Sequence, residues 1–286
     1  MGIKISVITP TYNRGHLLTR CYDSLCEQEF NAFEWIIIDD GSSDDTKNVV
    51  KSFLKDGKVH IRYIYQANRG KHIAHNVGVT EARGELCVCL DSDDYFSKNA
   101  LSRVWTLWAF ASKNNIGIIA KRGDAEGNAI CSDFPSGVRA CSMYDLNNMY
   151  HFHGDTVLFL KTGLLKRNMF PAFEGEKFIP ETALYYVLDK YGTMLIADEV
   201  LYIGEYQNDG LTSKYHKLLM GNPIGTTYAY FVSLQVARQW KEKIKYFILT
   251  AAYWQPKCKE YFRVPIYVQI FRPLGWLYRK VRLKNL

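Results

Sequence analysis

The sequence lacks the features that mark a membrane-spanning, disulfide-rich or repeat protein. No apolar run approaches the roughly 20 residues needed to cross a bilayer. The seven cysteines are scattered, odd in number and without a CxxC pair, and no signal-peptide pattern opens the chain. No internal repeat or low-complexity segment occurs. The composition, 48% hydrophobic and 23% charged, indicates a globular protein whose free thiols we expect in a reducing cytoplasm.

Two common nucleotide-binding motifs are also missing. A dinucleotide-binding fold needs a GxGxxG turn directly after its first strand. Here the first apolar run, residues 3–8, is followed by Thr-Pro-Thr-Tyr-Asn-Arg-Gly, and no P-loop pattern occurs in the chain. We therefore discount NAD and ATP chemistry.

Acidic residues are scarce in one part of the chain. From Arg238 onward, twelve Lys or Arg residues accompany only two Glu residues, a local excess of +10. Because the whole chain carries +7, the remainder sums to −3. Aromatic residues are interleaved with these basic residues, and this composition is typical of a segment that contacts an anionic membrane surface. The alternatives are a helical appendage packed on the body or on a second subunit, and nucleic-acid binding, for which no motif is present.

The first ninety residues alternate short apolar runs with helical patterns in the order β-α-β-α-β-α-β. This alternation predicts an α/β fold with a mainly parallel central sheet flanked by helices. Pro10 lacks a backbone N–H, so we expect it to mark the end of the first strand. The predicted strands are 3–8, 33–38, 59–65 and 86–90, and the predicted helices are 17–28, 46–54 and 70–82.

Three of these strands end in polar clusters: TPTYN, DDGSS and DSDD. Ligands of open α/β sheets bind at the carboxyl ends of the strands, so the three clusters predict one site. In the stretch from Gly84 to Tyr95, the apolar run stops at Asp91, Ser92, Asp93 and Asp94. Three carboxylates repel one another unless a cation lies between them, and hard oxygen ligands suit Mg²⁺ or Mn²⁺. The alternative is an acidic turn that caps the next helix.

Four motifs resemble those of glycosyltransferase family 2, the inverting nucleotide-sugar enzymes of GT-A fold. They are SVITPTYNR, FEWIIIDDGSSDDT, NRGKHIAHNVGVTEARGE and LDSDD, in the family's order and spacing. The resemblance covers about the first hundred residues. It implies a nucleotide-sugar donor and a divalent metal, either Mn²⁺ or Mg²⁺.

The resemblance also implies a role for each matched position. A carboxylate at the base edge accepts a hydrogen bond from a pyrimidine ring N–H, which favours uracil and a UDP-sugar. The implied donor-binding residues are Pro10 and Tyr12 beside the base, Asp39 at the base edge, Lys71 near the base or phosphates, Asp91 at the ribose, Ser92, and Asp93 on the metal.

An inverting transfer needs a base that deprotonates the acceptor hydroxyl. In the family this base is an Asp or Glu at the start of the helix after the acceptor-side loop, often within a Glu-Asp pair. This chain has Pro180-Glu181 there, and its GEKFIPE segment is similar to a subgroup of bacterial surface-polysaccharide transferases, so we assign the base to Glu181. Asp155 is the main rival, or alternatively an acceptor-binding residue, and His153 is a third candidate.

We predict a GT-A domain over residues 1–210, divided into a nucleotide-sugar half (1–98) and an acceptor half (99–210), and a helical extension over 211–286. In the second half we expect helices at 100–112, after Glu181 and within 215–252, strands at 116–120 and 156–160, and a hairpin-like excursion at 122–135.

The hypothesis is a metal-dependent inverting transferase that moves a sugar to a surface polysaccharide or its lipid-linked precursor. We expect it in the cytoplasm, with peripheral attachment at the inner membrane face as an alternative, and without a nucleic-acid partner. Alternatives are a catalytically silent nucleotide-sugar-binding subunit of a synthase complex, and a sugar-nucleotide pyrophosphorylase. The pyrophosphorylase needs a Gly-rich first loop, which TPTYNRG matches poorly.

Overall fold

The computed structural model describes residues 2–204 and 214–282. The chain divides into two compact units, one formed by residues 1–169 and 188–206 and the other by residues 170–187 and 207–286. The predicted boundary at residue 210 and the QNDGLTS stretch at 207–213 lie outside the described residues. We describe each unit by itself.

The described part of the first unit contains one nine-stranded sheet in the order β3-β2-β1-β4-β8-β6-β9-β5, with β7 paired to β9. The pairs β1–β2, β2–β3, β1–β4 and β6–β9 are parallel. The pairs β4–β8, β6–β8, β5–β9 and β7–β9 are antiparallel. The strands are β1 Ile5–Thr11, β2 Phe33–Asp39, β3 Ile61–Tyr65, β4 Leu86–Cys89, β5 Asp94–Phe96, β6 Asn115–Gly123, β7 Ala140–Cys141, β8 Thr156–Lys161 and β9 Thr193–Gly204.

The helices in the described residues cover both faces of this sheet or belong to the second unit. They are α1 Leu18–Cys26, α2 Thr46–Asp56, α3 Lys71–Glu81, α4 Ala100–Trp108, α5 Thr162–Arg167, α6 Thr182–Leu188, α7 Tyr215–Gly221, α8 Pro223–Val236, α9 Trp240–Tyr253 and α10 Arg272–Arg282. Short 3-10 turns occupy Gly15–Leu17, Asp189–Tyr191, Pro256–Glu260 and Ile266–Phe271, and Asp145–Met149 forms a π-helical turn. No described helix is both long and apolar enough to cross a membrane.

The seven elements predicted before residue 91 are all present, and the α/β fold class is confirmed. Strand β2 is buried along its whole length because helices cover both faces of the parallel part of the sheet. Helix α1 buries Leu18, Cys21, Tyr22 and Leu25, at the spacing of three and four residues that places side chains on one helix face. These side chains join the sheet residues in one hydrophobic core.

Pro10 does not end the first strand, so that prediction is wrong. The pairing of β1 with β4 stops at Ile8↔Cys89, but its pairing with β2 continues through Pro10↔Ile38 to Thr11↔Asp39. Pro10 therefore lies beyond the last β4 pair, where its missing N–H costs no ladder hydrogen bond.

Several elements of the second half differ from the prediction. Strands β5 and β9 were not predicted, and they pair with each other through Asp94↔Gly204 and Phe96↔Tyr202. The helix predicted at 100–112 ends at Trp108. The predicted hairpin-like excursion at 122–135 is present in a short form, with an antiparallel bridge between Gly123 and Ala129 flanked by backbone hydrogen bonds from Asp124 to Asn128 and from Ile130 to Arg122. The helical region at 215–252 is divided into α7, α8 and α9.

The second unit is helical, and its 170–181 loop is fastened to the start of α8. The Glu176 carboxylate accepts hydrogen bonds from the backbone N–H groups of Ile224 and Gly225, both at 2.7 Å. The Asn222 side-chain oxygen accepts from the backbone N–H of Lys177 at 2.8 Å. This loop therefore has fixed anchors just before Glu181.

Helix α3 packs closely on β1 through Gly78, where an added Cβ would lie 2.4 Å from Cγ2 of the fully buried Ile8. We expect Gly78→Ala to lower the free energy of unfolding by about 1–3 kcal/mol, because Ile8 has no space to move into. Gly163→Ala in α5 is the matched control, since only Arg167 lies near that position, at 3.8 Å. Urea unfolding measures both. Equal stability of the two variants would contradict this packing.

Candidate active site

The carboxyl ends of β1, β2 and β4 meet at one edge of the sheet, with β1 in the middle. Loop contacts join them directly. The backbone N–H of Asn13, after β1, donates to the Ser42 hydroxyl, after β2, at 2.9 Å. The Gly15 N–H donates to Asp44 at 3.0 Å. From β1, the strands β2 and β3 are added on one side of the sheet and β4 on the other. Open α/β sheets bind ligands at such a switch point in strand order.

The two aspartates after β2 have different partners. Asp40 accepts from the backbone N–H groups of Arg69 and Gly70 and from the side chain of Gln66, at 2.7–2.8 Å, and so holds the loop before α3. Asp39 accepts from the Ser42 N–H at 2.7 Å and from the Tyr63 hydroxyl at 2.6 Å. Each Asp39 oxygen therefore keeps one lone pair for a further donor.

Tyr12 is 49% exposed at this edge, immediately after β1. The next residue, Asn13, has a φ of 53°, in the left-handed region, and its side-chain oxygen accepts from the Ser43 N–H at 2.7 Å. This anchored turn leaves one face of the Tyr12 ring available to a flat ligand. Pro10 lies in the same strand, two residues before Tyr12.

Asp91, Asp93 and Asp94 form a compact acidic cluster after β4. One carboxylate oxygen from each lies within 4.8 Å of the others. Ser92, between them, is buried, with 5% of its surface exposed. The cluster shares the sheet edge with Asp39, so the structure brings the two predicted acidic groups to the same side of the sheet.

Two basic residues from different loops contact this cluster. The Lys71 ammonium, at the first residue of α3, lies 2.8 Å from an Asp91 oxygen. The Arg14 guanidinium lies 2.6 Å from Asp93. Burial alone raises the pKa of Asp91, but the charge and hydrogen bond of Lys71 outweigh it and hold the pKa below its usual value. These contacts keep Asp91 ionised and place two cations beside the carboxylates.

Arg122 of β6 connects the cluster to Asp155. Its guanidinium lies 3.0 Å from Asp94 and 3.0 Å from Asp155. Burial and the nearby Asp91 charge raise the pKa of Asp94 to about 7, although Arg122 opposes the shift. Gly204 at the end of β9 permits this arrangement, because a Cβ there would lie 2.2 Å from both the Asp94 carboxylate and the Arg122 guanidinium. Asp155 thus belongs to the same site as the acidic cluster.

The carboxylate set is suited to a divalent metal. Three hard oxygen donors within bonding reach of one ion fit Mn²⁺ or Mg²⁺, which prefer such ligands. Asp91 and Asp93 are partly exposed and Asp94 is buried, so the cluster opens toward solvent on the side of the first two residues.

Several residues that contact this site were not assigned a role from the sequence. Arg14 is the last residue of the SVITPTYNR motif, and its place in that motif is the sequence signal that could have identified it as a site residue. Arg122 and Tyr202, whose hydroxyl accepts from the Asp91 N–H at 3.0 Å, come from β6 and β9 and have no local motif. The Cys21 thiol lies under the acidic turn, 2.9 Å from the Asp94 carbonyl oxygen.

Glu181 is exposed in the second unit, directly before α6. Its carbonyl oxygen accepts from the N–H groups of Leu184 and Tyr185, so it occupies the start of that helix as predicted. Its charge raises the pKa of Tyr215 in the same unit, in addition to the larger effect of burial. In the same loop, the Glu176 carboxylate accepts hydrogen bonds from two backbone N–H groups at the start of α8.

The family model for glycosyl transferase family 2 matches residues 6–164, more than half of the chain. Among curated proteins, a GalNAc(5)-diNAcBac-PP-undecaprenol β-1,3-glucosyltransferase of Campylobacter jejuni is 43% identical over 101 residues, 35% of this chain and 32% of that protein. An uncharacterised glycosyltransferase of Nostoc is 32% identical over 126 residues, 44% of this chain and 38% of that protein. The matches therefore span well under half the length of these relatives.

Solved structures with similar folds include TarS from S. aureus, with a TM-score of 0.62 at 20% identity over 96% of this chain and 78% of that chain. A TarS structure in complex with UDP-GlcNAc has a TM-score of 0.62 at 19% identity, with 96% and 79% coverage. The mannosyltransferase PcManGT from Pyrobaculum calidifontis, with GDP-Man and Mn²⁺, has a TM-score of 0.59 at 15% identity, with 100% and 87% coverage. These likenesses confirm the GT-A fold. Together with the family match, they show that the chain belongs to glycosyltransferase family 2.

Proposed function

We propose that this enzyme transfers a sugar from a UDP-sugar, with inversion and with a divalent metal, to a surface polysaccharide or its lipid-linked precursor. The observation that carries the proposal is the meeting of the acidic cluster, Lys71 and Arg14 with Tyr12 and Asp39 at one sheet edge. Such an edge can bind the two halves of a nucleoside diphosphate separately, one through the base and one through the phosphates.

The nucleoside half is assigned to β1 and β2. The exposed Tyr12 ring offers a stacking surface, and Pro10 lies beside it. Asp39, oriented by Tyr63 and Ser42, accepts the ring N–H of uracil through a remaining lone pair. A guanine base, as in the GDP-Man bound to PcManGT, is the alternative donor base.

The diphosphate half is assigned to the acidic cluster and its cations. Asp91 and Asp93 would hold Mn²⁺ or Mg²⁺, which when bound neutralises the negative charge that develops on the departing diphosphate. Asp91 is also assigned to the ribose. Lys71 and Arg14 are close enough to exchange their carboxylate contacts for phosphate oxygens, to which charge-assisted hydrogen bonds are strong.

Glu181 is proposed as the base that takes the proton from the acceptor hydroxyl. Glu181 is exposed at the start of α6, and the anchored Glu176 loop fixes the backbone that precedes it. Asp155 is proposed to bind the acceptor, because Arg122 already neutralises its charge.

A lipid-linked acceptor is supported by the relative from Campylobacter jejuni, whose name includes a PP-undecaprenol carrier. The second unit also carries an exposed apolar stripe at intervals of three or four residues, formed by Ile266, Ile270, Leu274, Leu277 and Val281, which are 48–81% exposed. The opposite side of α10 packs on α9, because Gly275 lies against Ala252. Within the described residues, no other segment of the chain packs over this stripe.

We propose that this stripe rests on an anionic bilayer. Lys280 comes from the same helix, whereas Arg272 and Arg279 contact Trp254 and the Ala252 carbonyl oxygen on the α9 side. Each basic residue near such a surface contributes on the order of 1 kcal/mol. We expect Leu274→Glu/Leu277→Glu to abolish sedimentation with vesicles of one part phosphatidylglycerol to three parts phosphatidylcholine. Leu54→Glu/Phe110→Glu, at exposed apolar positions of the first unit, is the matched control and should still bind. Equal vesicle binding by the two variants would contradict the proposal. Detection by sedimentation velocity of a dimer that buries the stripe would contradict it as well.

A panel of nucleotide sugars tests the donor. We expect Mn²⁺-dependent release of UDP from at least one UDP-sugar, and no comparable release from GDP- or ADP-sugars. The assay also includes a PP-undecaprenol-linked acceptor, the class named for the Campylobacter jejuni relative. If the protein binds a nucleotide sugar but transfers sugar from none of them, the result would instead support a catalytically silent subunit.

A further inference from the structure

A second charged site lies at the sheet edge opposite the acidic cluster. Arg83 and Glu85 come just before β4, and Lys161 ends β8, which runs antiparallel to β4 and pairs with it through Leu86↔Lys161. Six residues separate Glu85 from Asp91, so at about 3.3 Å per residue the two sites are on the order of 20 Å apart. We call this site the basic groove. Its basic residues are Arg83, Lys113, Lys161, Lys166 and Arg167.

The groove has a concave shape and one dominant charge. Its volume is about 720 Å³, within the range of small-molecule sites. Among the described residues, none of its five basic side chains forms an ion pair with a carboxylate. Its single carboxylate, Glu85, accepts from the Trp108 indole at 2.7 Å. Like charges that line a concave wall focus the electrostatic potential and concentrate anions there.

The floor of the groove is fixed by buried polar contacts. The Arg83 N–H donates to the Glu34 carboxylate at 2.8 Å, and the Gly84 N–H donates to the Ser6 hydroxyl at 2.8 Å. Glu34 and Ser6 are fully buried. Gly84 cannot be replaced without a clash, because a Cβ would lie 2.6 Å from the Ser6 nitrogen. The groove is thus a preformed surface, which lowers the entropic cost of binding.

We propose that the basic groove binds a discrete molecule carrying at least two phosphate groups. Arginine and lysine together suit phosphate oxygens, and the volume exceeds what a single phosphate fills. The aliphatic lining residues Ala82, Ile116 and Leu164 are buried, so the groove offers no aliphatic side chain for insertion into a bilayer, which favours a discrete ligand. This site goes beyond the proposed transfer reaction and lies apart from the donor site.

Inorganic tripolyphosphate is the probe, titrated calorimetrically into the full chain in metal-free buffer. We expect Lys166→Glu/Arg167→Glu to weaken binding by about tenfold or more, because two charge-assisted contacts become repulsive. Lys51→Glu/Lys55→Glu, at exposed positions of α2, makes the same change in charge and should weaken it by less than about threefold. Lys71→Gln, which removes a cation of the proposed donor site, should retain tripolyphosphate binding, which separates the groove from that site.

Three results would overturn the proposal. The first is no binding by the unaltered protein, and the second is equal weakening by the two charge-reversed pairs. The third is a groove variant that loses binding to phosphatidylglycerol vesicles while still binding tripolyphosphate, which would assign the groove to a membrane surface.

Discussion

Replacing Asp93 by asparagine is expected to lower kcat/KM for sugar transfer by about a thousandfold. The substitution keeps the side-chain shape but removes the charge that faces Arg14 and the neighbouring carboxylate Asp91. Metal stabilisation of a leaving group is worth several kcal/mol, and about 4 kcal/mol corresponds to this factor. Initial rates over a range of Mn²⁺ concentrations measure the effect.

Asp23→Asn is the matched control, because Asp23 is an exposed carboxylate on α1 of the same unit. We expect it to retain activity within about twofold, as surface substitutions usually do. An Asp93→Asn variant that remains folded by circular dichroism and transfers sugar at an undiminished rate would contradict the metal assignment.

Glu181→Gln should lose about 10²–10⁴-fold in kcat and keep its affinity for the donor nucleotide, because general-base catalysis contributes a factor of this size. Glutamine preserves the shape at the start of α6, so the helix should persist. Glu174→Gln is the matched control, since Glu174 is exposed in the same loop and pairs only weakly, at 3.6 Å, with Lys257. Transfer rates and UDP binding by calorimetry separate turnover from binding.

The Asp155→Asn variant tests whether Asp155 or Glu181 is the catalytic base. If Glu181 is the base, this variant should raise KM for the acceptor more than it lowers kcat. A large loss of kcat in Asp155→Asn, together with normal turnover in Glu181→Gln, would transfer the base to Asp155.

The local elements of the donor half could be predicted from sequence because their causes are local. FEWIIID is apolar at five of its seven positions, which predicts a strand with two covered faces, and the polar clusters follow directly where strands end. Asp39, Lys71, Asp91 and Asp93 could likewise be placed at one edge, since parallel strands bring their carboxyl ends together.

Features that depend on distant chain segments could not be predicted. Strand β5 exists because Asp94–Phe96 pairs with β9, more than a hundred residues later. Arg122 enters the site because β6 pairs with both β8 and β9, a register that no local pattern specifies. Residues 170–187 belong to the second unit although the chain on both sides of them belongs to the first. This membership depends on their contacts with α8, such as those of Glu176.

Pro10 illustrates the limit of a local rule. The missing N–H of proline predicts a strand end, and this rule holds where the strands on both sides continue past the proline. Here β4 stops earlier than β2, so only the final sheet reveals that Pro10 has no ladder partner to lose.

The central claim is that neighbouring strand ends form one pocket for a nucleoside diphosphate and its cation. Calorimetric titration of UDP into the protein, with Mn²⁺ and then with EDTA, tests it most directly. The account predicts binding about tenfold or more tighter with Mn²⁺, because the cation links Asp93 to the diphosphate. Equal affinity in both buffers, or no binding in either, would contradict it.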